Sequence, residues 1–213
     1  MKSGLSMKLG MVQRLLIAIA LPLGLASPTA QAAGDVEAGQ AKAGMVCVAC
    51  HGLDGNSVNP EWPSIAGQHA QYIIKQVKAF RAGGRNNVLM SPIAMTLTDK
   101  EIEDTAAYYA TQKIKGQEGA KASVELGQKI YRGGVVATHL PACIACHGPD
   151  DRGNPTAMYP SVRSQHARQI VLQLQAYKSG ERKTDQNEMM RDIASKLTNE
   201  QIDAVAQYMQ GLR

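Results

Sequence analysis

Large aromatic rings are scarce in this 213-residue chain, which has one Phe, one Trp and seven Tyr, together 4% of the sequence. With 44% hydrophobic residues there is enough apolar material to fold, but few side chains of the bulk that usually fills a core. Something other than side chains is therefore expected in the interior. Long apolar runs are also missing. The best, Leu15 to Leu25, is short for a membrane span and is broken by Pro22 and Gly24, which argues against a polytopic membrane protein. Nor is there a decisive excess of one charge. The formal net charge is +5, but without the first 32 residues it falls to +2, from 20 basic and 18 acidic side chains. Residues 33–115 hold 8 of each sign and residues 116–213 hold 12 basic and 10 acidic, so neither half has the basic stripe of a nucleic-acid binder. Cysteine is limited to four residues, enough for two disulfides or two cofactor attachments.

What the first 32 residues contain is an address. Lys2, Lys8 and Arg14 precede the apolar run, and Ala30-Gln31-Ala32 supplies small residues at the alternate positions a signal peptidase accepts. This predicts export and cleavage after Ala32, with the mature protein in the periplasm. That compartment permits disulfides and is also where bacteria attach haem to cysteine pairs.

The remainder is written twice. Cys47-Val-Ala-Cys50-His51-Gly52 recurs as Cys143-Ile-Ala-Cys146-His147-Gly148. Pro63-Ser64-Ile65-Ala66-Gly67-Gln68-His69-Ala70 returns as Pro160-Ser161-Val162-Arg163-Ser164-Gln165-His166-Ala167, and Phe80-Arg81-Ala82-Gly83 as Tyr177-Lys178-Ser179-Gly180. Met90, Ile93, Ala94, Leu97, Thr98, Ile102 and Tyr108 match Met190, Ile193, Ala194, Leu197, Thr198, Ile202 and Tyr208. The expected organisation is a signal peptide over 1–32 and two tandem domains of one fold over 33–115 and 116–213.

Each repeat reads as helical. Thr98 with Glu101, and Thr198 with Gln201, form capping boxes that open a last helix, whose apolar stripe follows in Ile102, Ala106 and Tyr109, and in Ile202, Ala206 and Met209. A middle helix is expected from about Ala70 to Ala82 and from Ala167 to Ser179, stopped by Gly83 and Gly180. A first helix starts near Asp35 and near Ser123. No long alternating strand pattern appears, so the fold class is all-α.

A Cys-x-x-Cys-His run at a helix end lets two thiols reach the two vinyl groups of one haem while the adjacent imidazole faces the iron. Three other chemistries compete for the same residues. A thioredoxin-like pair wants a βαβ context, which is missing. Two cysteines and a histidine suit zinc, but adjacent Cys and His fit haem better. Structural disulfides leave the twice-placed histidine unexplained. The cofactor expected is thus two covalently attached c-type haems, held through Cys47, Cys50, Cys143 and Cys146, with His51 and His147 as iron ligands.

At this point the sequence resembles class I cytochromes c, and more closely the exported dihaem cytochromes of the cytochrome c4 family. The resemblance runs through Gly34-Asp35-Val36-Glu37-Ala38-Gly39-Gln40, both haem motifs, Gly52-Leu53-Asp54-Gly55-Asn56 and the ending Tyr208-Met209-Gln210-Gly211-Leu212. It implies two class I domains related by a pseudo-twofold, and electron transfer between respiratory partners.

The second axial ligand must be picked from ten methionines. Met95 aligns with Ser195 and Met189 with Leu89, so only Met90 and Met190 stand at equivalent places in both halves. Both lie on segments between helices, 39 and 43 residues beyond their histidines. The resemblance puts the axial thioether at the same two residues. It also implies a proline carbonyl on the far ring nitrogen of each haem histidine, and Pro63 and Pro160 stand at the right distance. Trp62 and Tyr159 align as haem-packing rings. His69 and His166 read as polar helix starts rather than ligands. Arg85 and Arg182 are candidates for pairing with haem propionates, the alternative being solvated charges at helix ends.

Two closed His/Met sites suit electron transfer, because the iron keeps its ligands in both oxidation states. The expected function is a soluble or peripherally membrane-associated periplasmic carrier, not an enzyme. Its partners, a respiratory donor and a terminal oxidase, are implied by the family resemblance. The rivals are a dihaem peroxidase with one open iron and a dedicated electron-transfer subunit of a larger oxidoreductase. A peroxidase would show asymmetry at the distal ligand, whereas both halves here offer methionine. Eight extra residues before Cys143 make the surroundings of the two haems unequal, and unequal potentials are expected.

Overall fold

The computed structural model describes residues 34–118 and 121–212; the signal peptide expected over 1–32 and the cleavage expected after Ala32 fall outside the described residues. The first half contains α1 (Val36–Val46), α2 (Val48–His51), α3 (Ala70–Arg81), α4 (Met90–Met95) and α5 (Asp99–Thr111). The second repeats the order as α6 (Lys121–Gly133), α7 (Ile144–His147), α8 (Ala167–Lys178), α9 (Met189–Ser195) and α10 (Asn199–Gln210). Among the described residues there is no strand, only isolated antiparallel bridges at Val135–Leu140 and Asn154–Tyr159. The all-α expectation therefore holds.

Local chemistry sets the ends of these helices. The Asp35 carboxylate accepts the N–H groups of Glu37 and Ala38 at the start of α1. Both capping boxes are formed, Thr98 with Glu101 on α5 and Thr198 with Gln201 on α10. The middle helices begin at Ala70 and Ala167 and end just before Gly83 and Gly180, whose φ values of 75° and 76° take the chain out of the helix.

In each half the first and last helices cross at a glycine. A Cβ on Gly39 would sit 2.0 Å from the Asp104 carbonyl oxygen, and one on Gly127 would sit 2.1 Å from that of Ala204. Only a residue without a side chain permits so close a crossing.

Beside these crossings the halves fill the same space from opposite helices. In the first, Ala43 on α1 faces the core with Tyr109 on α5, whose hydroxyl points to the Gly52 carbonyl. In the second, Tyr131 on α6 occupies the place of Ala43 and reaches the Gly148 carbonyl, while Met209 stands where Tyr109 would be. One ring per half is retained, but its helix of origin is exchanged.

The two cores are separate. One holds Ala43, Ile73, Ala106, Tyr108 and Tyr109; the other is built entirely from residues of the second half, around Tyr131, Ile170, Ile202 and Val205. The eight extra residues add to the latter: Val135 and Leu140 exchange backbone hydrogen bonds of 3.0 and 3.1 Å, and Leu140 is buried in the second core.

The halves meet through polar groups arranged reciprocally. The Gln165 side-chain amide brackets Ser64, accepting from its N–H at 3.0 Å and donating to its carbonyl at 2.7 Å. Gln68 does the same to Ser161, at 3.1 and 2.6 Å. Since Gln68 aligns with Gln165 and Ser64 with Ser161, these four bonds form a pseudo-twofold seam.

Candidate cofactor sites and the seam beside them

Each Cys-x-x-Cys-His run forms one tight helical turn. The His51 N–H donates to the Cys47 carbonyl at 3.0 Å and the His147 N–H to that of Cys143 at 2.9 Å. The two sulfurs and the imidazole of each motif are thereby held on one short helix. None of the four cysteines is in a disulfide. Burial raises the Cys47 thiol above its ordinary pKa, and burial followed by the charge of Asp151 pushes Cys143 up to about 12. Protonated thiols make poor redox nucleophiles. Thioether formation removes the ionising proton altogether, so the donor set suits covalent haem.

The histidines agree with this. His51 Nδ1 hydrogen bonds the Pro63 carbonyl at 2.8 Å, and His147 Nδ1 the Pro160 carbonyl at 3.0 Å. Burial lowers the pKa of both imidazoles, outweighing the opposing effect of the carbonyl bond. A neutral ring protonated at Nδ1 leaves the Nε2 lone pair free for a metal. Among the described residues no cluster of three or more His, Cys, Asp or Glu side chains forms a separate metal site.

The segments that carry Met90 and Met190 between the longer helices are themselves short helices. Met90 is the first residue of α4 and Met190 the second of α9, and these short helices pack on α3 and α8. Asn87 fixes the start of α4 by accepting the Met90 N–H at 2.9 Å. Asp185 fixes α9 by accepting the Arg191 N–H and Nε at 3.0 and 2.9 Å. Both methionines are half-buried, and Met190 packs against the second core. Met45 and Met95, by contrast, are 71% and 70% exposed, which suits neither for closing a buried site.

His69 and His166 open α3 and α8, as the sequence reading expected. They occupy the residues before α3 and α8, but their side chains make no capping bond. Instead each Nε2 meets a carbonyl of the opposite half, His69 that of Arg152 at 2.9 Å and His166 that of Ser57 at 2.8 Å. Ser57 in turn donates its hydroxyl to the Cys50 carbonyl at 2.8 Å, so the seam is tied directly to the first motif. Trp62 and Tyr159 are half-buried beside the histidine-orienting prolines. Arg85 and Arg182 are not solvated charges: Arg182 is only 6% exposed, and both guanidiniums are engaged across the seam.

One residue near the second motif escaped sequence reasoning. Asp151 stands where the first half has Gly55. Their carbonyls accept matched pairs of N–H groups, from Val162 and Arg163 in one case and from Ile65 and Ala66 in the other. Gly55 has φ 75°, and Asp151 keeps that left-handed geometry at φ 60°. Its carboxyl is fully buried, receives the Tyr131 hydroxyl at 3.2 Å, and leaves Oδ2 without a partner. Burial drives its pKa well above the ordinary value.

Comparison with known proteins gives a consistent result. The cytochrome c family model matches residues 36–113 and again 124–213. A cytochrome c4 from Thiocapsa roseopersicina is 45% identical over 180 residues, covering 84% of this chain and 93% of that protein. The crystal structure of reduced recombinant cytochrome c4 from Pseudomonas stutzeri superposes with a TM-score of 0.82 at 39% identity, covering 85% of this chain and all of that one. A thiosulfate dehydrogenase electron acceptor from Stutzerimonas stutzeri is 34% identical over 176 residues, 81% of each chain.

Proposed function

The chain belongs to the cytochrome c family, within its dihaem cytochrome c4 group, and on that footing we propose that it is a periplasmic carrier passing electrons between respiratory complexes toward a terminal oxidase. It is an electron-transfer protein with two covalently attached c-type haems, one in each matched region, and it works with redox partners. Among the described residues no helix is long and apolar enough to cross a membrane. The domains are assigned to 33–115 and 116–213. Cys47 with Cys50, and Cys143 with Cys146, are the attachment sites; His51 with Met90, and His147 with Met190, are the axial pairs.

Bound in this way, each haem supplies a one-electron ferric/ferrous couple. The chain sets how that couple behaves. Pro63 and Pro160 fix the ring orientation and tautomer of the histidines, and the carbonyl bond makes each imidazole a stronger donor. A thioether from Met90 or Met190 would favour the ferrous state relative to a second histidine. With the starts of α4 and α9 pinned by Asn87 and Asp185, Met90 and Met190 would hold their thioethers in place in both oxidation states. The buried Asp151 and the Val135–Leu140 segment, both confined to the second half, support unequal potentials.

The observation that carries this reading is the matched pair of neutral, proline-oriented histidines beside unpaired cysteines. It is tested by haem quantitation and by the reduced spectrum with and without carbon monoxide. The wild type should hold two haems and leave carbon monoxide unbound, while Met90→Ala and Met190→Ala should each open one haem and lower its potential. Spectra and potentials unchanged in both variants would remove the axial assignment.

A second reading takes the protein as the dedicated acceptor of a dehydrogenase. It is supported by the relative described as a thiosulfate dehydrogenase electron acceptor. Stoichiometric reduction by such a dehydrogenase, at a rate exceeding that with a quinol-oxidising complex, would favour it.

A further inference from the structure

At one edge of the seam the two halves enclose a cleft of about 470 Å³. The first half contributes Gly67, His69 and Lys113 to its lining, and the second Arg152, Ser161 and Arg163. Hydrogen bonds within the chain already hold these walls. The Asn56 side-chain amide brackets the segment leaving α5, donating from Nδ2 to the Lys113 carbonyl at 3.0 Å and accepting the Lys115 N–H at 2.8 Å. Gly67, at φ 63°, lets that segment pass so near that a Cβ would lie 3.0 Å from Ile114 Cγ1. On the opposite wall His69 Nε2 meets the Arg152 carbonyl at 2.9 Å, and the Arg163 N–H donates to the Asp151 carbonyl at 3.3 Å.

Lys113, Arg152 and Arg163 are cations, and no acid lines the cleft with them. Arg152 is compensated by Asp150, as the neighbouring Lys115 is by Asp54 at 2.7 Å. Among the described residues Lys113 and Arg163 have no ion-pair partner. The charge of Arg163 reaches Asp150 and Asp151 without pairing with either, and its Nε is buried with no acceptor. A buried charged donor left unmet is costly, which points to an acceptor from outside the chain.

Duplication does not account for this. Arg163 aligns with Ala66, and Arg152 with Asn56, given the match of Asp151 to Gly55. A histidine meets a carbonyl of the other half on both edges of the seam, but only one edge carries the arginines. There Lys113 and Arg163 come from opposite halves, and a guanidinium fork can grip two oxygens of one anion. Two uncompensated charges call for a dianion; a single carboxylate would leave one of them unmet.

We propose that this cleft binds a small divalent oxyanion of the sulfate or phosphate type, which bridges Lys113 to Arg163 and ties the two halves together at this edge. None of its residues is an attachment or axial residue, so the site stands or falls apart from the function proposed above.

The test uses the haem-loaded protein in chloride buffer at constant ionic strength. It is titrated with sulfate, inorganic phosphate or, for a monovalent comparison, nitrate, and followed by calorimetry and thermal unfolding. Sulfate or phosphate should bind once per chain, and the melting temperature should rise with its concentration; the tighter of the two identifies the ligand. Arg163→Gln and Lys113→Gln should each weaken binding by about tenfold, the effect of losing one charge-assisted hydrogen bond, and Arg163→Lys should recover part of the loss. Lys129→Gln, which removes the same charge from an exposed position on α6, should bind as the wild type does. Absence of saturable binding by both dianions, or an affinity unchanged in both cleft Gln variants, would overturn the site. An equal loss in Lys129→Gln would reveal a general charge effect and overturn it as well. Nitrate binding as tightly as sulfate would overturn the divalent assignment. An oligoglutamate peptide that binds more tightly than either dianion, and fails in the same variants, would assign the cleft to an acidic protein partner instead. Lys113 is exposed on the segment beyond α5, so its variant should fold and decides the matter if Arg163→Gln does not.

Discussion

Removing the two glutamine brackets should weaken the coupling between the halves, which His69, His166, Arg85 and Arg182 also bridge. Gln68 and Gln165 each make two hydrogen bonds to the backbone of a serine in the other half, at 2.6 to 3.1 Å. A protein hydrogen bond contributes about 0.5–1.5 kcal/mol net, so each bracket stabilises the seam by about 1–3 kcal/mol. The two brackets share no residue, and their effects should add, giving about 2–6 kcal/mol for Gln68→Ala with Gln165→Ala. That is a large share of a typical total stability of about 5–15 kcal/mol, and the apolar cores on either side are separate. The single changes should differ. Ser161 is buried whereas Ser64 is half-buried, so water can replace the lost partner more easily at Ser64, and Gln68→Ala should be the costlier. Calorimetry of the haem-loaded protein is the assay. One transition in the wild type should split into two in the double variant, with the first clearly earlier. A double variant that still melts once, at the wild-type temperature, would refute the view that amide brackets rather than apolar burial hold the seam.

Two further predictions concern the helices. Gly127→Ala places a Cβ 2.1 Å from the Ala204 carbonyl and 2.8 Å from the Tyr208 Cβ; forcing α6 from α10 should cost about 1–3 kcal/mol or more, and thermal unfolding within about half a kcal/mol of wild type would contradict the close crossing. Burial raises the pKa of Asp185, but hydrogen bonds from the backbone and side chain of Arg191 outweigh it and leave a net depression. Its stabilisation is therefore present above the ordinary carboxylate pKa of about 3.9 and lost as pH falls through the lower folded value. Asp185→Asn should destabilise at about pH 7 and lose that deficit toward about pH 2; denaturation curves with a pH-independent gap would show that the charge plays no part.

What was legible in the sequence was whatever short-range chemistry determines. Thr98 with Glu101 and Thr198 with Gln201 announce their helices because both partners lie within one turn. Pro63 and Pro160 were identifiable because the family resemblance implies a proline carbonyl at about that interval from each histidine, and one stands there in both halves. Features that depend on distant packing were hidden. His69 does open a helix, but its side-chain partner, the Arg152 carbonyl, belongs to the other half. Arg85 and Arg182 could not be told from surface charge until the folded halves brought Gln76 and Gln173 beside both. Asp151 was invisible because only the turn geometry shows that it replaces Gly55. Repetition supplied the strongest signal overall, by singling out Met90 and Met190 among ten methionines.

The exchange of a tyrosine between helices makes each half a matched set whose parts cannot be traded. A chimera joining α1 to α10 would face Ala43 with Met209 and leave a cavity where a ring belongs. The reciprocal chimera, α6 with α5, would drive Tyr131 and Tyr109 into one space. Recombination between two copies of a duplicated gene usually blends them. Here a crossover between the first and last helix of a repeat would yield a misfitted core either way, so the halves can diverge further while each remains internally consistent.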